Sequence, residues 1–320
     1  MTERAAGLVT LGETLGLLVA DDVGPLSLAR HMTLSMGGAE SNVAIGVARL
    51  GIPATWIGRL GRDPVGDLVE RQLLAEGVHC LATRDPAPTA LMLRERRTST
   101  TANVIYYRRG SAGSHLAPED LPDGVIEGAA VLHLTGITPA LGPRPAAAVR
   151  EALRRAREGG VPVSLDLNYR SRLWDAATAA PVFREHVAAA DIVFAGDDEA
   201  RIALGEDFAE AGPDRLAAGL KELGPREVVI KLGRRGATAL LDGELMEAPP
   251  VPVQAVDSVG AGDAFVAGYL AYRVLGADPA ERLRITAITG AFAVTAPGDW
   301  EAFPRPHELT LLTAQEDVQR

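Results

Sequence analysis

Residues 255–265 read Ala-Val-Asp-Ser-Val-Gly-Ala-Gly-Asp-Ala-Phe, and the apolar run continues through Val266 to Leu270. The pattern is that of a strand end, a glycine turn and a helix. Gly260 and Gly262 leave backbone N–H groups uncovered by side chains at the positive end of that helix, which suits an anion such as phosphate. Asp263 stands in the same turn. A carboxylate beside a phosphate cradle is electrostatically unfavourable, which points to a chemical role for it. The obvious role is to accept the proton of a hydroxyl that attacks a phosphoryl group. For a lone Gly-x-Gly, an Asp that merely caps a helix is the commoner explanation. Here the run is longer, and other parts of the chain fit the same chemistry.

Outward from this stretch, short apolar runs alternate with amphipathic ones. Strands are expected at 7–11, 55–58, 130–135, 161–167, 192–195 and 227–232. Helices are expected after the Gly37-Gly38 pair as far as Gly51, and at 63–76, 145–158, 181–189, 213–223 and 279–294. Such alternation implies an α/β fold, a mostly parallel sheet with helices on both faces. Ligands in such sheets bind beyond the carboxyl ends of the strands. Asn168, Arg170, Glu199, Gly233 and Gly260 fall at or just after such ends, which gathers them into one site. Further strand-like runs lie near 15–36, and at 89–93 and 101–108; they would build a small separate sheet.

Paired glycines at 37 and 38 allow a ligand to approach the backbone, and Asn42 on the following helix has an amide able to meet a sugar hydroxyl. A tight turn with a capping Asn is the alternative there. Tyr106 and Arg108 alternate onto one strand face. Lys231-Leu232-Gly233-Arg234-Arg235-Gly236 reads as a turn between two strands, and Asp242-Gly243 as a hairpin turn.

The composition excludes several classes. The 320 residues carry a net charge of −10 with no basic block, which argues against a nucleic-acid surface. No run of eighteen apolar residues is present, so no membrane span is expected. The start Met1-Thr2-Glu3-Arg4 lacks the features of a signal peptide, and Cys80 stands alone, so a cytoplasmic location is expected. No His/Cys/Asp cluster has metal-ligand spacing. A dinucleotide-binding oxidoreductase ranks last, because no Gly-x-Gly-x-x-Gly follows the first strand.

The run at 257–265 resembles the signature of the PfkB, or ribokinase-like, carbohydrate kinases, Asp-Thr-x-Gly-Ala-Gly-Asp-x-Phe, with Ser258 in place of the usual Thr. The resemblance covers nearly the whole chain. It implies a single ribokinase-like α/β/α domain over 1–320, with a small β-sheet lid drawn from about 13–36 and 89–110 that often serves as a dimer surface. It implies Asp263 as catalytic base and the amides of Gly260, Ala261 and Gly262 as an anion hole. Asn168, Gly196, Lys231, Gly233 and Gly236 would lie along ATP, together with that anion hole, and Glu199 would act on Mg²⁺ through water. Gly196 stands where the family usually has Asn.

Three segments resemble the family's kinases for 2-keto-3-deoxygluconate: 37–42, 106–114, and 166–170 with Leu173-Trp174. Arginine binds carboxylates in a bidentate fork, and a sugar acid carries one. By that resemblance Gly37, Gly38, Asn42, Tyr106, Arg108, Arg170 and Asp263 hold the sugar acid, with Asp299 on a hydroxyl. The implied reaction is phosphorylation of 2-dehydro-3-deoxy-D-gluconate at its terminal hydroxyl. A family kinase for a neutral sugar such as fructose or ribose, one for a related keto acid, and a catalytically silent sugar sensor are the alternatives.

Overall fold

A computed structural model describes residues 6–98 and 101–312. The reading of residues 1–4, and residues 99 and 100 of the 89–110 segment, lie outside these. The strands, in chain order, are β1 (Leu8–Leu11), β2 (Leu15–Val23), β3 (Met32–Gly37), β4 (Ala54–Gly61), β5 (His79–Asp85), β6 (Leu91–Arg96), β7 (Ala102–Tyr107), β8 (Val131–Thr135), β9 (Val163–Asp166), β10 (Ile192–Gly196), β11 (Glu227–Lys231), β12 (Ala237–Leu241) and β13 (Glu244–Ala248). The helices are α1 (Ala39–Arg49), α2 (Pro64–Ala75), α3 (Ile137–Ala140), α4 (Pro143–Gly159), α5 (Ala176–Ala189), α6 (Asp197–Leu204), α7 (Pro213–Glu222), α8 (Ala261–Val274) and α9 (Pro279–Ala293).

Nine strands form one sheet in the order β13-β12-β11-β10-β9-β8-β1-β4-β5. All its pairings are parallel except those of β11 with β12 and β12 with β13. Alternation along each strand supplies both faces. On β10, Ile192 and Phe194 join a core with residues of α1, α8 and α9. Val193 and Ala195 point the other way, among residues of α4, α5 and α7. Trp56, Tyr269 and Phe183 are the largest wholly buried side chains, each stabilising by about 1.5–3 kcal/mol or more through apolar burial. Helix starts follow local chemistry: Asp63 Oδ1 accepts the Gly66 N–H at 2.8 Å with Pro64 in the first turn, and Asp278 Oδ1 accepts the Glu281 N–H at 2.9 Å before α9.

Two expectations change. The expected helix at 181–189 begins at Ala176, because Asp175 Oδ1 accepts the Thr178 N–H at 2.8 Å and starts the helix earlier, leaving Pro181 inside it. Residues 249–259, before the glycine turn, are not a strand. Pro249, Pro250 and Pro252 have no N–H to give a ladder. The turn is instead tied by the Val256 N–H to the Val294 carbonyl at 2.7 Å.

The second sheet has four strands in the order β3-β2-β6-β7, antiparallel except for β2 with β6. Its inner face carries Leu15, Leu17, Met92, Val104 and Tyr106, which pack together. The ends of β9 and β11, through Asp166 and Lys231, and this sheet, through Arg94 on Asp257, come together near the start of α8.

Candidate active site

Asp263 lies in the first turn of α8 and is buried. The Asn42 side-chain amide, from α1, donates to Asp263 Oδ2 at 2.8 Å. Burial drives the Asp263 carboxyl up to about 7; the Asn42 hydrogen bond and the charges of Arg170 and Lys231 oppose this, and Asp166 adds to it. The first intrahelical bond runs from the Ala264 N–H to the Gly260 carbonyl at 2.9 Å. The amides of Ala261, Gly262 and Asp263, ahead of it, have no acceptor within the helix. Gly260 caps the helix with φ +74°, and a Cβ there would stand 1.7 Å from the Asp299 carbonyl oxygen. Around Gly262 the nearest atom to such a Cβ is Lys231 Nζ at 3.8 Å. Thus one glycine serves packing and conformation, and the other leaves open a path to the helix amides.

Lys231, at the end of β11, bonds both oxygens of Asp166 at the end of β9, at 2.6 and 2.7 Å. Burial disfavours its charge, but Asp166, Glu199 and Asp263 outweigh that and raise its pKa. A fixed cation therefore stands beside open helix amides and a buried carboxylate. That combination can take a phosphoryl group on the amides and a hydroxyl proton on Asp263.

Asn168 follows β9 with φ +39° and is buried. Glu199, in the first turn of α6, accepts the Tyr169 N–H at 2.9 Å on one oxygen and the Gly196 N–H at 2.6 Å on the other. The Gly196 amide is therefore held by Glu199. Gly233 is open to its surroundings, whereas a Cβ on Gly236 would meet the Ala248 carbonyl at 2.1 Å. Gly236 thus answers first to the hairpin packing of β12 on β13.

On the opposite side, Gly37 ends β3 and faces Asp299: a Cβ on it would lie 2.2 Å from Asp299 Oδ2. A Cβ on Gly38 would lie 2.6 Å from the Glu13 carbonyl oxygen. Burial raises the Asp299 carboxyl to about 7 against the pull of Arg94. Arg108 stacks over Tyr106 at 5.3 Å from the ring centre and pairs with the buried Glu13 at 2.5 Å. Ser111 Oγ donates to the other oxygen of Glu13 at 2.5 Å. Arg170 is exposed and has no ion-pair partner among the described residues. Of the two expected carboxylate binders, one is neutralised by Glu13 and the other is a free cation.

Sequence reasoning did not find Glu13, Asp257 or Arg94. Arg94 reaches from β6 and pairs with Asp257 at 2.9 Å. Glu13 directly follows the first strand's Gly12, the one local signal available; Arg94 lies in an ordinary strand pattern with no signal at all.

The sequence profile of the pfkB family carbohydrate kinases matches residues 5–305. The chain is 33% identical over 320 residues to a 2-dehydro-3-deoxygluconokinase of Bacillus subtilis (strain 168), covering 98% of this chain and 97% of that one. The crystal structure of a 2-dehydro-3-deoxygluconokinase from Thermotoga maritima superposes with a TM-score of 0.89 at 27% identity, over 96% of this chain and 98% of that chain. A ribokinase II from E. coli, crystallised in complex with ATP and Mg²⁺, gives the same TM-score of 0.89 at 25% identity, over 96% and 99%. The glycine turn with its buried aspartate, the nine-stranded sheet and these full-length similarities agree: the chain belongs to the pfkB family of carbohydrate kinases.

Proposed function

We propose that the protein is an ATP-dependent sugar-acid kinase that converts 2-dehydro-3-deoxy-D-gluconate to its 6-phosphate. The observation that carries this reading is the buried Asp263 at the start of α8, flanked by Lys231 and Arg170. Asp263 accepts the proton of the terminal hydroxyl. The amides of Gly260, Ala261 and Gly262 carry the negative charge of the transferred group. Lys231 adds a fixed positive charge beside Gly262. Mg·ATP supplies the phosphoryl group. The open side of Gly262 and the acceptor-free helix amides fit a polyphosphate. Among the described residues no three His, Cys, Asp or Glu side chains group as a metal cage. Glu199, with each oxygen already holding one N–H, fits a Mg²⁺ that keeps most of its waters.

Arg170 supports the sugar-acid reading over a neutral sugar. An exposed guanidinium with no ion-pair partner among the described residues, electrostatically coupled to Asp263, is placed to hold a carboxylate. Arg108, set by Glu13, lines the sugar through its remaining N–H groups and with Tyr106. Gly37, Gly38 and Asp299 line the opposite wall. The small sheet acts as a lid over the sugar, and its outer face joins two copies of the chain, within one kinase domain. No helix among the described residues is long and apolar enough to cross a membrane.

The test is ATP consumption with Mg²⁺ against 2-dehydro-3-deoxygluconate, its galactonate epimer, gluconate, fructose and ribose. Turnover confined to the keto-deoxy acids is expected. Arg170→Ala should raise KM for the acid at least about tenfold, the scale of a lost charged hydrogen bond. Strong turnover on fructose that survives Arg170→Ala would replace the sugar-acid assignment with a neutral-sugar one.

A further inference from the structure

Arg94 sits on the inner face of the small sheet, paired across strands with Val19 and Val104, and its side chain is buried. A buried guanidinium is costly unless its charge is met. One nitrogen, Nη2, pairs with Asp257 Oδ2 at 2.9 Å. Asp257 in turn holds the glycine turn, its Oδ1 accepting the Val259 N–H at 3.2 Å. The other nitrogen, Nη1, stands 3.6 Å from Asp299 Oδ1, beyond hydrogen-bond reach. Both of these atoms are buried, and neither has a hydrogen-bond partner among the described residues. The guanidinium thus faces the Asp299 carboxyl just beyond hydrogen-bond length, at the junction of small sheet and main body.

The surrounding contacts make that gap consequential. Ser35 Oγ of β3 donates to Glu301 Oε1 at 2.6 Å, and Trp300 Nε1 donates to the Met36 carbonyl at 3.2 Å. The segment carrying Asp299 therefore follows the small sheet. The Asp299 carbonyl abuts Gly260, and its Oδ2 abuts Gly37. One residue touches the sugar wall with its side chain and the helix cap with its backbone.

We infer that Arg94 is a positioning residue that couples the small sheet to the phosphate-binding turn: anchored on Asp257, it closes onto Asp299 when a sugar fills the space beneath the sheet. Closing the gap shortens this buried ion pair to a charged hydrogen bond and orients the Asp299 carboxylate toward a sugar hydroxyl. It also presses the Asp299 backbone onto Gly260 as the sugar is bound. This inference rests on the kinase reading above only in taking the sugar to lie between Gly37 and Asp263.

The test is a double-mutant cycle read by calorimetric binding of 2-dehydro-3-deoxygluconate without nucleotide, a measurement that needs no catalytic base. Arg94→Gln and Asp299→Asn should each weaken binding by roughly tenfold, within the range of coupled neighbours. The double variant should be no weaker than the worse single. Arg94→Lys keeps the buried charge but lacks the fork that spans two carboxylates. It should melt near the wild type, recover part of the lost affinity, and lose its effect in the Asp299→Asn background. If Arg94→Gln does not fold, the cycle run with Arg94→Lys decides the matter. Multiplicative losses, or a folded Arg94 variant with wild-type affinity, would overturn the coupling while leaving Asp263 as base untouched. Absence of binding of any sugar by the wild type would overturn this inference and the kinase reading together.

Discussion

A carboxylate at a helix N-terminus should be a weak base, since the amide dipoles favour its charge. At Asp263 burial outweighs them and lifts the carboxyl to about 7. As base it must be ionised, so kcat/KM for the sugar should fall as pH drops below about 7. Asp263→Asn should lower kcat by at least about a hundredfold. The stability sign is opposite to that of a salt-bridged carboxylate. The folded pKa is raised above its ordinary 3.8, so Asp263 contributes stability that is fully present below that value and is lost as pH rises through about 7. Asp263→Asn should therefore melt higher than the wild type at pH 8, and nearly level with it at pH 4. A variant that turns over normally, or that melts lower at pH 8, would remove Asp263 from the role assigned to it. Asp263 was legible from its place after two glycines. Its Asn42 partner was legible only as a residue near the sugar, because 221 positions separate the two.

At the scale of the element, the start of α8 uses its two glycines for different ends, and substitution separates them. Gly260→Ala puts a Cβ into the Asp299 carbonyl at φ +74°, a left-handed position that costs an L side chain about 1–2 kcal/mol before any clash. It should lower the melting temperature and turnover together. Gly262→Ala meets only Lys231 Nζ at 3.8 Å, and alanine is favoured in a helix by up to about 1 kcal/mol. It should melt as well as or better than the wild type, yet lose roughly a hundredfold in turnover as the methyl blocks approach to the amides. Thermal melts with steady-state kinetics on both variants check this; normal turnover in Gly262→Ala would mean the phosphate lies elsewhere. The helix and its glycines were readable because capping and turn chemistry are local. The false strand before them came from reading apolar content in a stretch whose prolines forbid a ladder. The Arg108–Glu13 pair, which leaves Arg170 as the one of the two without an ion-pair partner among the described residues, joins residues 95 apart in sequence. No spacing rule reaches that far.

Across the whole molecule, the small sheet divides its two faces differently from the large one. The large sheet is covered by helices on both sides, whereas the small sheet turns Tyr106, Arg94 and Met92 toward the body. Its other face carries Leu18, Leu34, Leu93, Ile105 and Tyr107, by the strand registers. Leu34 is 49% and Tyr107 63% exposed. A contiguous apolar sheet face is an interaction surface by the same physics that builds a core. A closed, two-fold arrangement satisfies both copies with one patch. Sedimentation equilibrium should therefore give a dimer for the wild type. Leu34→Glu places a charge in the centre of that face and should yield monomer with its circular dichroism spectrum unchanged. If the face instead only steadied the sheet over the sugar within one copy, the wild type would sediment as monomer and Leu34→Glu would alter sugar KM with no change in mass. A dimer that persists in Leu34→Glu would place the contact on another surface. In a dimer that does dissociate, sugar KM should rise with dilution, as expected of the proposed lid steadied by its partner.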